Sequence, residues 1–251
     1  MAASPAIRIV GSEYGLFPEA ARLNRFIRKG EPVLRATLDI AWSEPEPRAA
    51  LSILEDLLME FSRSFRLHAC RGPHSYHVFA DGRRRLAETA AIALESGRTN
   101  GFEGSLALAH LIEHVAIDFV CRITGQRRCS GVTGALRFPV GRFHLLLECP
   151  DRLCGRLALA LAVAVLVTGL AGRPPGDDER NLVRAARVVF EHPERSHTPP
   201  AIARSLGWTE ERAALALKAL RDMGYLASQA WTVNTSGCPE YRLATGGTAT
   251  A

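Results

Sequence analysis

The chain has 251 residues and a mass of 27.3 kDa, enough for one large domain or two modest ones, each with a sizeable core. With 47% hydrophobic and 23% charged residues and a mean hydropathy of +0.01, it falls outside the disordered and fibrous classes. A net charge of +5 and a pI near 9.1 suit an anionic partner without selecting one. Six cysteines (70, 121, 129, 149, 154, 238) form no C-x-x-C pair and no disulfide-like framework, and the first 25 residues lack a secretory apolar run, so a reducing cytoplasm is expected.

In chain order, 7–10 and 34–40 are expected as strands. Residues 47–64 carry Leu51, Ile53, Leu54, Leu57, Leu58 and Phe61 at helical spacing, and further helices fit 84–95 and 106–123. A strand at 142–147 leads into a helix at 152–170. Its uncharged stretch, 157–172, falls short of the ~20 residues of a membrane span, so a buried core helix and no membrane partner are expected. Mixed strands and helices place the N-terminal domain in the α+β class, as an α/β sandwich.

Two prolines and two glycines in Gly172-Arg-Pro-Pro-Gly-Asp-Asp178 mark a boundary between domains at 1–172 and 178–243, with 244–251 as a disordered tail. An amphipathic helix over 178–191 comes next. Thr198, followed by Pro199 and Pro200, caps a short helix; Gly207 turns the chain, and Thr209 caps a helix over 210–223. Short strands at 230–233 and 240–243 close the segment. This pattern, with its run PPAIARSLGWTEERAALALKALRDMGYL, resembles the winged helix-turn-helix domains of bacterial regulators. Residues 177–243 hold nine basic and nine acidic groups, and Glu210 and Glu211 stand where a recognition helix would approach phosphates, so nucleic acid binding through the wing is expected to be weak.

The segment GSLALAHLIEHVAIDFVCRITG carries the most chemistry. His110 and His114 are one helical turn apart and can present two imidazoles to one ion. With Glu113 they spell H-x-x-E-H, the reverse-order zinc signature of the insulysin and pitrilysin class, in which the glutamate is the general base. Leu108, Leu111, Ile112, Val115, Ile117, Phe119 and Val120 make this a buried helix, where polar groups need partners. His74 and His77, in a Gly-Pro loop, and His192 and His197, in a turn of the wing, suggest no ligation.

LAHLIEHVAID, preceded by NGFEG and, far upstream, by LHAC, resembles the N-terminal domain of cyanophycin synthetases, and FHLLLECPDRLCGRLALALAVAV continues the likeness. The resemblance spans roughly residues 5 to 170. It implies a compact α/β domain that, in some members, carries a metal-dependent peptidase-like site cutting the polymer into primers. The ATP-grasp and ligase-type domains of that family have no counterpart in this sequence, and a winged helix stands in their place. Two departures imply that this chain differs from the family in specificity or is inactive. The family's arginine-rich segment after the helix is Gly131-Val-Thr-Gly-Ala135 here, and its acidic pair before the Gly-Arg is Arg152-Leu153.

A catalytic zinc site needs three protein ligands. Glu148, at a strand end and matching the family's glutamate, is the expected third ligand, and Asp118, one turn past His114, is expected as a second-shell acceptor or alternative ligand. His68 and Cys70 match the family pattern and are pocket candidates. The expectation is therefore a zinc-dependent peptidase-like protein acting on a peptide or isopeptide, possibly cyanophycin-like, with a homodimer as a further candidate assembly. The alternative is a non-catalytic regulator that senses a peptide or a metal.

Overall fold

A computed structural model describes residues 6–41, 101–136, 138–171, 177–233 and 239–244. The helices expected at 47–64 and 84–95, with His68, Cys70, His74 and His77, lie outside the described residues. The chain divides into two compact units, one running to Cys121 and again from Gln126 to Pro175, the other comprising Arg122–Gly125 and the residues from Gly176 onward.

The first unit is α+β. Strands β1 (Ala6–Gly15), β2 (Val33–Ala41), β3 (Gly131–Ala135) and β4 (Arg142–Glu148) form one antiparallel sheet in the order β1-β2-β4-β3. A short helix α1 (Pro18–Leu23) follows β1, while α2 (Gly101–Thr124) and α3 (Arg152–Leu170) are long. Alternation of side chains along a strand gives this sheet two unlike faces. On one, Leu34, Ala36 and Leu38 of β2 stand opposite Leu147, Leu145 and Phe143 of β4, all with 0% exposure. On the other, Val33, Arg35 and Asp39 pair with Glu148, Leu146 and Arg142. That second face is apolar only at one end, where Ala20, Ile27, Val33 and Leu146 cluster with Phe17 and Val132. Further along it, Arg142 binds Asp39 through two hydrogen bonds of 2.6 and 2.9 Å and holds that carboxyl below its usual range.

Both long helices lie against the dry face. Ile112, Val115, Ala116, Phe119 and Val120 of α2 are buried, and a large side chain so placed contributes about 1.5–3 kcal/mol. Helix α3 opens on Asp151, whose carboxylate accepts from the Cys154 amide at 2.8 Å, a cap that satisfies one of the free donors of the first turn. At 19 residues α3 has the length and apolarity of a membrane span, longer than its uncharged core suggested. It is nevertheless a core helix: from Cys154 to Gly169 it presents ten buried residues to the fold. Gly155 lets it approach closely, because a Cβ there would sit 2.5 Å from the Cys149 sulfur and 3.2 Å from two carbons of Leu34.

In the second unit, α4 (Asp177–Glu191), α5 (Pro199–Leu206) and α6 (Glu210–Asp222) precede a two-stranded antiparallel sheet of β5 (Leu226–Val233) and β6 (Pro239–Leu243). Thr198 and Thr209 cap α5 and α6 through their hydroxyls, accepting from the amides of Ala201 and Arg212. Gly207 ends α5 at φ +67°, a conformation only glycine takes without strain. His197 pairs with Tyr241 of β6 through both backbone groups, at 2.8 and 2.9 Å, which fixes the segment before α5 to the sheet.

Replacing Gly155 by alanine forces apart a closed helix–sheet contact and is expected to destabilise the protein by about 1–3 kcal/mol. Gly134→Ala, in open space on β3, is the control and is expected to lose none. Urea denaturation of the two variants measures both.

Candidate metal centre

The i, i+4 spacing sets His110 and His114 on one stripe of α2, and their Nε2 atoms converge to 3.0 Å with the rings edge to face at 89°. His114 is 1% exposed, while the His110 side chain keeps 20% of its surface. Nδ1 of His110 lies 3.2 Å from Oε2 of Glu113, one turn along the helix. The Thr133 hydroxyl of β3 donates to that same oxygen at 2.6 Å. Thr133 stands opposite Leu145 in the β3–β4 register, hence on the dry face of the sheet, and this contact seats the histidine stripe above β3. Gly131, two residues earlier on the same face, leaves room for the carboxylate: a Cβ there would be 3.0 Å from Cγ and Oε1 of Glu113.

Two nitrogens ~2.0–2.1 Å from a tetrahedral zinc lie about 3.3 Å apart, so the separation of the histidines is close to that of two ligands sharing one ion. A proton on the Nδ1 that faces Glu113 leaves Nε2 of His110 as a bare donor atom, the form that binds a metal. The donor set is nitrogen with oxygen nearby, which suits zinc. Among the described residues no group of three or more histidines, cysteines or carboxylates is placed to hold an ion.

The expected third ligand is where the sequence reading needs correction. Glu148 is paired with Val33 and so belongs to the sheet face opposite Thr133 and the histidine helix. Its carboxylate is committed there. Oε1 accepts from the Arg28 amide at 2.7 Å, with the Arg28 guanidinium at 3.4 Å, and Oε2 accepts from the Ser130 amide at 3.0 Å. With its side chain 8% exposed, it ties the segment after α1 to the start of β3. Asp118 is buried at 4% exposure, one turn beyond His114 on α2. His68 and Cys70 lie outside the described residues.

Thr133 and Gly131 went unnoticed in the sequence, where Gly131–Ala135 registers only as a lost arginine-rich segment. The usable signal was the alternation of small residues in a strand facing a helix that carries a buried acid. Compared with known proteins, no family model matches the chain, and no curated protein or solved structure matches it.

Two substitutions separate these roles. Glu148→Gln removes the charged acceptor from two backbone amides and is expected to cost about 1–3 kcal/mol in urea denaturation while leaving the zinc content of the protein unchanged. Thr133→Val takes a donor from a buried carboxylate and is expected to cost a similar ~1–3 kcal/mol.

Proposed function

We propose that the first unit is a zinc-binding, peptidase-like domain of a cytoplasmic protein, with His110 and His114 as metal ligands and Glu113 as the acid–base residue beside them. The observation that carries this reading is the convergence of the two Nε2 atoms to 3.0 Å within an H-x-x-E-H helix. Zinc held there supplies Lewis acidity for amide hydrolysis. The Glu113 carboxylate, beside the pair, is able to accept a proton and return it to a leaving amine, with Thr133 and His110 fixing its Oε2. The substrate class follows from the cyanophycin synthetase resemblance alone: a peptide or isopeptide, arginine-bearing or β-linked through aspartate. Arg152 and Leu153 open α3 in place of the family's acidic pair; if that pair held the metal or bound arginine-rich substrate, this chain differs in specificity or is inactive.

A second reading, a regulator that binds metal or peptide without cutting, is favoured by one observation. Glu113 already engages His110 and Thr133, and Glu148 faces the other side of the sheet, so the described residues assemble two ligands rather than three. Metal analysis and hydrolysis assays divide the two. The intact protein is expected to bind one zinc per chain and to lose it in His110→Ala and His114→Ala. In Glu113→Gln zinc is expected to stay, while cleavage of β-aspartyl-arginine or arginine-rich peptides falls by ~10²–10⁴-fold, the usual share of general acid–base catalysis. A protein that binds zinc yet cleaves none of a broad peptide panel is the sensor.

The second unit we assign to the winged-helix class. Support comes from its order of helix, bridging segment, two helices and hairpin, with His197 paired to the last strand as a third rung. Its exposed α6 surface is mixed: Glu210, Glu211, Arg212 and Lys218 surround Leu215, which is 63% exposed. Arg184 and Arg212, both exposed, lie over Trp208, at 5.1 and 4.7 Å from its ring. Phosphate neutralisation is therefore poor, and binding to random duplex DNA at about 150 mM salt is expected to be weaker than micromolar. Fluorescence anisotropy of a labelled duplex checks this, and tight binding would assign the wing to DNA.

A further inference from the structure

We propose that two basic segments of the first unit, 22–29 and 126–128, form a binding surface for single-stranded nucleic acid, independent of the histidine pair and of the wing. Residues 177–243 balance to zero and 244–251 carry no charge, so the whole excess of +5 lies before residue 177. Part of it is gathered in one place. Arg22, Arg25, Arg28, Lys29, Arg127 and Arg128 are all exposed, and among the described residues only Arg28 of these meets a carboxylate, that of Glu148 at 3.4 Å. Exposed cations left without acids attract a polyanion and gain affinity from the counterions it releases.

The fold builds this surface from segments more than a hundred residues apart in the chain. After α1 the Asn24 side chain donates to the Gly131 carbonyl at 2.6 Å, and the Ser130 hydroxyl donates to the Phe26 carbonyl at 3.3 Å. Glu148 accepts from the Arg28 and Ser130 amides, at 2.7 and 3.0 Å, and so clamps the two segments to each other. Between them stands Phe26, half-buried, with the Arg25 guanidinium 5.1 Å and the Arg128 guanidinium 5.4 Å from its ring centre. Cation–π attraction thus gathers two arginines, one from each segment, over one ring. A guanidinium held in this way offers a planar cationic surface to a base and N–H donors to a phosphate.

The class of polyanion follows from what surrounds the cations. A duplex is read by a helix or a two-stranded ribbon laid in a groove. These segments are loops instead, since α1 has six residues and ends at Leu23, before most of the cations. A bilayer requires apolar side chains that project beyond the charges. Leu23 apart, neither segment exposes a large apolar side chain, and the Phe26 ring is engaged by the arginines. A single strand carries a charge at each phosphate and unstacked bases free to lie on guanidinium planes, so it uses both features of the surface.

The test is fluorescence anisotropy of a labelled mixed-sequence single strand of about 15 nucleotides, titrated with the full-length protein at several salt concentrations. Binding in the micromolar range or tighter is expected at about 50 mM salt, and about five phosphate contacts predict a loss of ~100-fold in affinity by about 200 mM. Arg25→Ala with Arg128→Ala is expected to weaken binding ~10-fold or more and to flatten the salt dependence. Phe26→Leu, which keeps every charge, is expected to weaken it several-fold at unchanged salt dependence. Arg204→Ala with Lys218→Ala, in the second unit, is the control and is expected to change nothing. The proposal is overturned if no strand binds, if the Arg25 and Arg128 double variant binds like the unsubstituted protein, if the second-unit variant is the one that loses binding, or if a duplex of the same sequence binds as tightly. Sedimentation with phosphatidylserine vesicles covers the remaining case: capture that the Arg25 and Arg128 substitutions abolish, without strand binding, overturns the proposal and assigns the surface to a bilayer.

Discussion

A carboxylate with 3% of its side chain exposed sits between α2 and β3, and the arrangement of the candidate site follows from keeping it there. An ionised acid taken out of water without donors would be destabilising by several kcal/mol, more than the surrounding methyl groups return by packing. Glu113 is held by the Thr133 hydroxyl from the sheet and by His110 from its own helix. Those two contacts fix the height of α2 over the strand and turn the His110 ring so that its Nε2 meets that of His114. Glycine at 131 is part of the same constraint, because any larger residue would push against the acid from below.

The pleat of the sheet decides which acids share this site. Neighbouring residues of a strand point to opposite faces, so Leu147 joins the core beneath the helices while Glu148 emerges on the other side and binds the Arg28 and Ser130 amides. A free strand end could carry a carboxylate across to a nearby helix. In an antiparallel sheet paired on both sides the register extends to that end, since Glu148 is matched to Val33 and its amide donates to Ser130.

Much of this was legible in the sequence where the signal is local. Helical spacing of apolar residues gave α2, α3 and α4, and hydroxyl caps gave the starts of α5 and α6, because these depend on contacts a few residues apart. The meeting of His110 with His114 is of the same kind. Strand β3 and the short α1 were missed: β3 is glycine-rich and only five residues long, and α1 has six residues with one of them buried. Neither carries enough periodicity to register. The partnership of Glu113 with Thr133 joins a helix to a strand 20 residues on, and the facing of Glu148 is fixed by its pairing with Val33, more than a hundred residues away, so neither shows in a short window of sequence.

The histidine pair illustrates why one geometry serves two chemical states. With a proton on the Nδ1 of His110 toward Glu113, its Nε2 is an acceptor, and the facing Nε2 of His114 can carry the proton between them at 3.0 Å. A metal ion held by both Nε2 atoms would compete with that shared proton for the same lone pairs, so binding it would require His114 to take its other tautomer. The carboxylate anchors one ring in its ligating form and leaves only the second ring to change. Preorganising one ligand and leaving one adjustable lowers the cost of binding without forcing two bare nitrogens against each other in the absence of metal. If the pair holds an ion, as proposed, the contacts of Glu113 with His110 and Thr133 would set how readily it enters, in a hydrolytic site and in a sensor alike.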